Sequence, residues 1–154
     1  ALRAQGKSNE EFAFTVHGTM AAPVWLDNSI DPNERRPNTC FLGDPKVVNN
    51  SPIGLARFTT LRSWLSQWSY DESNANGVDD AASMSLPTLV INNAADDACT
   101  PSHAKRLFDA VANNNKEFVE IIGATHYYLG QHEQLLQAEQ ACTLWLRKQG
   151  LTDV

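Results

Sequence analysis

Two stretches of the 154-residue chain place acid–base groups where they could act together. Asp96 and Asp97 stand in LVINNAADDACTP, directly behind a short apolar run, and His126 stands in IIGATHYYLG, directly behind another. A carboxylate beside an imidazole holds the ring's tautomer and stabilises the imidazolium formed when the ring takes a proton. Such a pair is a general base with its orienting partner. Counting back from Pro101 selects Asp97 as the partner of His126, whereas counting forward from the apolar run selects Asp96. Asp97 and His126 are the expected catalytic residues, and the other acid is expected to cap the loop or the next helix.

The elements that must position these groups form a βαβα succession over residues 83–154. Leu86–Asn92 reads as a strand opened by Pro87, a residue suited to a strand's first position. Ser102 suits an N-cap, and Ala104, Leu107, Phe108 and Val111 make a helical stripe that Asn113-Asn114-Asn115 ends. Phe118–Ile122 reads as a second strand closed by Gly123, and His132 to Lys148 as a last helix stopping at Gly150. Strands joined by a helix run parallel, about 4.8 Å apart, and reactive groups gather beyond their carboxyl ends. Asn92 and Asn93, at a strand end, are placed to donate hydrogen bonds there. Both strands are nearly all apolar, which fits burial on two faces, and two strands cannot supply that burial to each other. Further strands are therefore expected from an upstream segment or another chain.

Residues 1–82 read differently. Asp31-Pro32-Asn33, Arg36-Pro37-Asn38, Gly43-Asp44-Pro45 and Asn49-Asn50-Ser51-Pro52 crowd turn formers together. Phe12–Val16 is a candidate strand ending at His17-Gly18. One amphipathic helix is expected over about 53–69, because Phe58, Leu61, Trp64, Leu65 and Trp68 recur at three- and four-residue steps. Residues 71–80 read as a polar loop.

The run from Leu86 to Val154 resembles the C-terminal end of an α/β-hydrolase, a superfamily with a Ser-His-acid triad. The family pattern of an apolar strand, an Asp-x-x-x-Pro loop, a helix, a strand and a His before the last helix is matched by Asp97-Ala98-Cys99-Thr100-Pro101 and by Gly123-Ala124-Thr125-His126-Tyr127-Tyr128. The order, acid and then histidine, is also the family's. The resemblance implies an α/β fold: the C-terminal portion of a mostly parallel hydrolase sheet with helices on both faces. Residues 1–82 would be a loop-rich helical cap or lid and 83–154 the βαβα part of the core. It implies a serine hydrolase acting on a carboxylic ester or related acyl compound, with no cofactor and no metal. Asp97 would orient His126, and His126 would take the proton of a serine.

That serine is missing. The family's Gly-x-Ser-x-Gly elbow occurs nowhere in the 154 residues, and a base without a nucleophile cannot form an acyl-enzyme. The expected partners are thus an upstream segment or companion chain carrying the serine and the remaining strands, and a small apolar acyl or aryl substrate. Trp64, Trp68, Tyr127 and Tyr128 could wall such a substrate or merely pack. The rivals are acyl transfer on the same fold and a non-catalytic binding module completed by homodimerisation.

Other motifs explain less. His17-Gly18-Thr19 resembles an oxyanion turn of the superfamily, but no serine elbow follows it. Gly6-Lys7-Ser8 lacks the glycine a phosphate loop requires, and Ser102-His103-Ala104-Lys105 lacks the companions of Ser-x-x-Lys enzymes. Asp96, Asp97, His103 and His126 show no established metal-ligand spacing. Composition bounds the function classes. Twelve Lys+Arg against eighteen Asp+Glu give a net charge of -6, so nucleic-acid binding is not expected. No apolar run approaches the roughly 20 residues of a membrane span. The polar start and three cysteines without CxxC spacing lead us to expect a cytoplasmic protein with reduced, buried thiols.

Overall fold

The computed structural model describes residues 12–152 except 19, 21, 53, 55 and 56. The described chain is a mixed α/β structure with one antiparallel strand pair, one parallel pair and six helices. The first helices are short, α1 (Pro23–Leu26) and α2 (Pro45–Asn50), each opened by a proline whose missing N–H costs nothing there. Strand β1 (Ala13–Thr15) pairs antiparallel with β2 (Phe58–Thr60), Ala13 opposite Thr60. Met20, Cys40 and Val48 form a small buried cluster near these elements, with Trp25 and Phe41 packed against it.

The helix expected from about residue 53 begins later, as α3 (Leu61–Trp68). Phe58, Thr59 and Thr60 are extended instead, in keeping with the β preference of aromatic and branched side chains. Thr60 then caps the helix, its hydroxyl accepting from the Ser63 amide at 3.2 Å. Within the loop expected over 71–80, a further short helix, α4 (Gly77–Ala82), starts and packs on the long helix α5 (Pro101–Ala110).

Strands β3 (Thr88–Asn93) and β4 (Lys116–Ile121) run parallel and in register from Thr88 opposite Lys116 to Asn93 opposite Ile121. Helix α5 crosses between them, and α6 (His132–Lys148) follows β4; both pack on the ribbon. Lys116 ties β4 to the end of α5 by donating to the Phe108 and Val111 carbonyls at 2.7 and 2.8 Å, where the helix presents unpaired acceptors. Phe108 and Phe118 meet edge to face. Helix α6 closes at left-handed Gly150, whose amide reaches the Arg147 carbonyl while Leu151 reaches Leu146. Those two bonds are the Schellman pattern.

Two expectations change here. Ser102 does not cap α5: Thr100 holds the cap position, with Pro101 first in the helix. The expectation of three buried thiols also fails, since only Cys40 is buried while Cys99 and Cys142 are exposed. The two parallel strands remain only half-buried along most of their length, and among the described residues no large side chain is completely enclosed. No described helix is long and apolar enough to cross a membrane.

Candidate functional site

The site lies where the loops leaving β3 and β4 are stitched together. Beyond the last ladder pair, the Ala94 amide donates to Ile121 and the Ala95 amide to Ala124, both at 2.9 Å. Asn93 adds a side-chain bond to the Thr125 carbonyl at 3.1 Å and accepts from the Tyr128 hydroxyl at 2.6 Å. Left-handed Gly123 makes the turn out of β4, a conformation that a Cβ would strain. Gln131 holds the far side, accepting from the Thr125 amide and hydroxyl and donating to the Gly123 carbonyl.

This scaffold brings His126 to Asp96. The Nδ1 of His126 lies 3.0 Å from Asp96 Oδ2, and because a carboxylate only accepts, Nδ1 carries the proton. The other oxygen, Oδ1, accepts from the Ala98 and Cys99 amides, each at 2.7 Å. Asp96 is thus buried and fixed by a tight backbone turn, while His126 remains about one-third exposed. The second ring nitrogen, Nε2, is then an acceptor, the form a general base needs.

Asp97, the expected partner of His126, does not make this bond. Its backbone carbonyl accepts from the Phe41 amide at 3.0 Å, and its carboxyl feels His126 only as a nearby charge. Burial raises the Asp97 pKa above the ordinary carboxylate range, and repulsion from Asp96 adds to that. The choice between the two acids was undecidable by counting because consecutive residues of a tight turn face different ways.

The segment 31–43 is strapped over the acid loop. Glu34 N–H donates to the Ala94 carbonyl, Asn33 Nδ2 to the Asp96 carbonyl, and Glu34 Oε2 accepts from Gly123 N–H. Buried Arg35 stiffens the strap through the Asp31 and Val24 carbonyls and the Asn33 side chain. Asp31 reaches across to α5, taking the Ser102 hydroxyl at 2.7 Å and its amide at 3.2 Å. The strap also delivers Phe41, whose ring lies 6.4 Å from those of His126 and Tyr127. Tyr127 stands edge-on to His126 at 4.7 Å. These two rings, rather than Trp64 and Trp68 on α3, are the aromatic neighbours of the imidazole. Phe41 was missed in the sequence because nothing local marks a residue that acts from so far along the chain.

Among the described residues, one group of acidic, thiol and imidazole side chains brings its donor atoms within 4.8 Å of one another: Asp96, Cys99 and His126. Asp97 and His103 are outside it. Cys99 is poorly suited to act as a nucleophile. Loss of solvent around its sulfur and the Asp96 charge push the thiol pKa up, whereas a nucleophilic cysteine needs it lowered. Two surface clefts, one lined by Trp25, Asp44 and Lys46 and one along α6 by Leu136, Thr143 and Leu144, include neither Asp96 nor His126. No family model, no curated protein and no solved structure matches the chain.

Proposed function

We propose that this chain supplies the acid and base of a serine hydrolase of the α/β-hydrolase type, acting on a small apolar acyl or aryl ester. One observation carries the reading: a buried, amide-anchored Asp96 bonded to His126 Nδ1, on loops at the carboxyl ends of two parallel strands. Asp96 takes the acid role that the sequence motif suggested for Asp97. His126 Nε2 removes the proton of a serine on an upstream segment or companion chain, the serine attacks the acyl carbonyl, and the imidazolium returns its proton to the leaving oxygen. The same nitrogen then activates water against the acyl-enzyme. Phe41 and Tyr127 offer apolar walls for the acyl or aryl group. The outer edges of the two-stranded β3–β4 ribbon are where the remaining strands would pair, and free thiols suit a reducing compartment such as the cytoplasm.

The test is turnover of ester substrates by the chain together with its serine-bearing segment. His126→Ala and Asp96→Asn should each cost about 10,000-fold in kcat while the protein stays folded, and Asp97→Asn should cost less than about threefold. Full turnover in folded Asp96→Asn would remove the pair from the mechanism. A stable homodimer of this chain alone, unreactive toward a serine-directed phosphonate in any assembly, would favour a binding module instead.

A further inference from the structure

We propose that Asp96, Cys99 and His126 form a binding site for a borderline-soft divalent cation, zinc being the best fit, and that the bound ion switches off the base. Sulfur, imidazole nitrogen and carboxylate oxygen are the three donor types that zinc takes from proteins, and three protein ligands leave a fourth tetrahedral position open. The fold has already done most of the gathering. Asp96 Oδ2 and His126 Nδ1 are 3.0 Å apart, close to the ~3.3 Å between two light donors on one tetrahedral zinc. All three donors lie within 4.8 Å of one another, whereas sulfur needs about 3.5 Å from its neighbours on such an ion. The remaining contraction is at most about 1.3 Å, which rotation of the Cys99 side chain can supply. The Cys99 amide already donates to Asp96 Oδ1, so the backbone that carries the thiol is tied to the carboxylate beside which the ion would sit.

The proton balance is simple. Binding releases the thiol proton to solvent, because the metal takes the thiolate. The carboxylate releases none, and the neutral imidazole keeps its single proton. If Nδ1 ligates, that proton moves to Nε2; if Nε2 ligates, its lone pair is consumed. In both cases Nε2 can no longer accept a proton from a nucleophile. The ion-binding site stands by itself, while its effect on turnover rests on the hydrolase reading above.

Cobalt(II), which reports thiolate ligation by absorption, separates the two. Titrating the chain with cobalt should give a saturable one-to-one complex with a thiolate charge-transfer band and the visible spectrum of a four-coordinate ion. Zinc should displace the cobalt, and magnesium and calcium, which prefer all-oxygen sites, should not. Cys99→Ser should abolish the charge-transfer band, and Asp96→Asn should weaken binding by more than about tenfold. Cys142→Ser, which alters the other exposed thiol, should leave both unchanged. The site is overturned if the wild-type chain, at a temperature where circular dichroism shows it folded, gives no saturable band, or if the band survives Cys99→Ser. Cobalt binding that leaves ester turnover by the complete assembly intact would keep the site and tell against His126 as the base.

Discussion

At the scale of single residues, two adjacent carboxylates have been given opposite situations. Asp96 spends one oxygen on two backbone amides and the other on His126, whereas Asp97 is a carboxylate raised in pKa by burial and by its neighbour's charge. A raised folded pKa means that the native state binds the proton more readily than the unfolded chain. The ionised Asp97 therefore lowers stability at neutral pH, and that penalty fades as pH falls through the folded value toward the ordinary one. Asp97→Asn should accordingly raise the Tm at pH 7, with the gain disappearing near pH 3. Thermal melts at the two pH values check the sign, and a fall in Tm at pH 7 would show that Asp97 has a role the charge argument misses. Asp96→Asn should disturb the ring, because it removes the acceptor that His126 Nδ1 faces. Nitrogen NMR of His126 should show Nδ1 protonated and Nε2 bare in the wild type, and a tautomer mixture in the variant. A wild-type ring protonated at Nε2 would contradict the geometry.

At the scale of elements, the βαβα half was legible because its signals are local. Apolar runs, a helical stripe and glycines at turns are written within a few residues of where they act, so α6 falls on the expected span and β3 and β4 lie within two residues of theirs. The helix over 53–69 misled because Phe58, Leu61 and Trp64 satisfy a helical period while Thr59 and Thr60 favour extension and a cap. The strap over 31–43 was illegible for a different reason: its partners lie far along the chain, and no periodicity records them. Its anchor is Asp31, itself in a left-handed conformation. Burial alone would raise the Asp31 pKa, but hydrogen bonds from Thr100 and Ser102 and the Arg35 charge outweigh it and hold the carboxyl below its ordinary range. Stability from this anchor is complete above the unfolded value and is lost as pH falls through the lower folded one. Its placement at the start of α5 also suits the helix dipole. Allowing for solvent screening, Asp31→Asn should cost about 1 kcal/mol at pH 7, or about 3 °C in Tm. Near pH 3 wild type and variant should melt more nearly together; an equal gap at both pH values would mean that the anchor works through packing and not through charge.

At the scale of the whole molecule, the parallel ribbon is short of cover. Leu89, Val90, Ile91, Phe118 and Val119 would normally be enclosed on both faces of a parallel sheet, yet here each stays only partly buried. Each further methylene that an added element covers is worth about 0.8 kcal/mol, so packing strands beside β3 or β4 would contribute several kcal/mol to a domain whose total stability is about 10 kcal/mol. The site feels the same shortage, because the loops that hold Asp96 and His126 are extensions of those strands. The chain alone should therefore melt early and broadly, bind an apolar dye, and exchange the amides of β3 and β4 quickly. Adding the segment that bears the serine should sharpen the melt, raise the Tm by more than about 10 °C, expel the dye and slow exchange in both strands by at least about 100-fold. Homodimerisation would produce similar protection with a concentration-dependent Tm, which sedimentation distinguishes. If the isolated chain instead melts sharply as a monomer, with slow exchange throughout β3 and β4, the sheet needs no partner and the proposed source of the nucleophile fails with it.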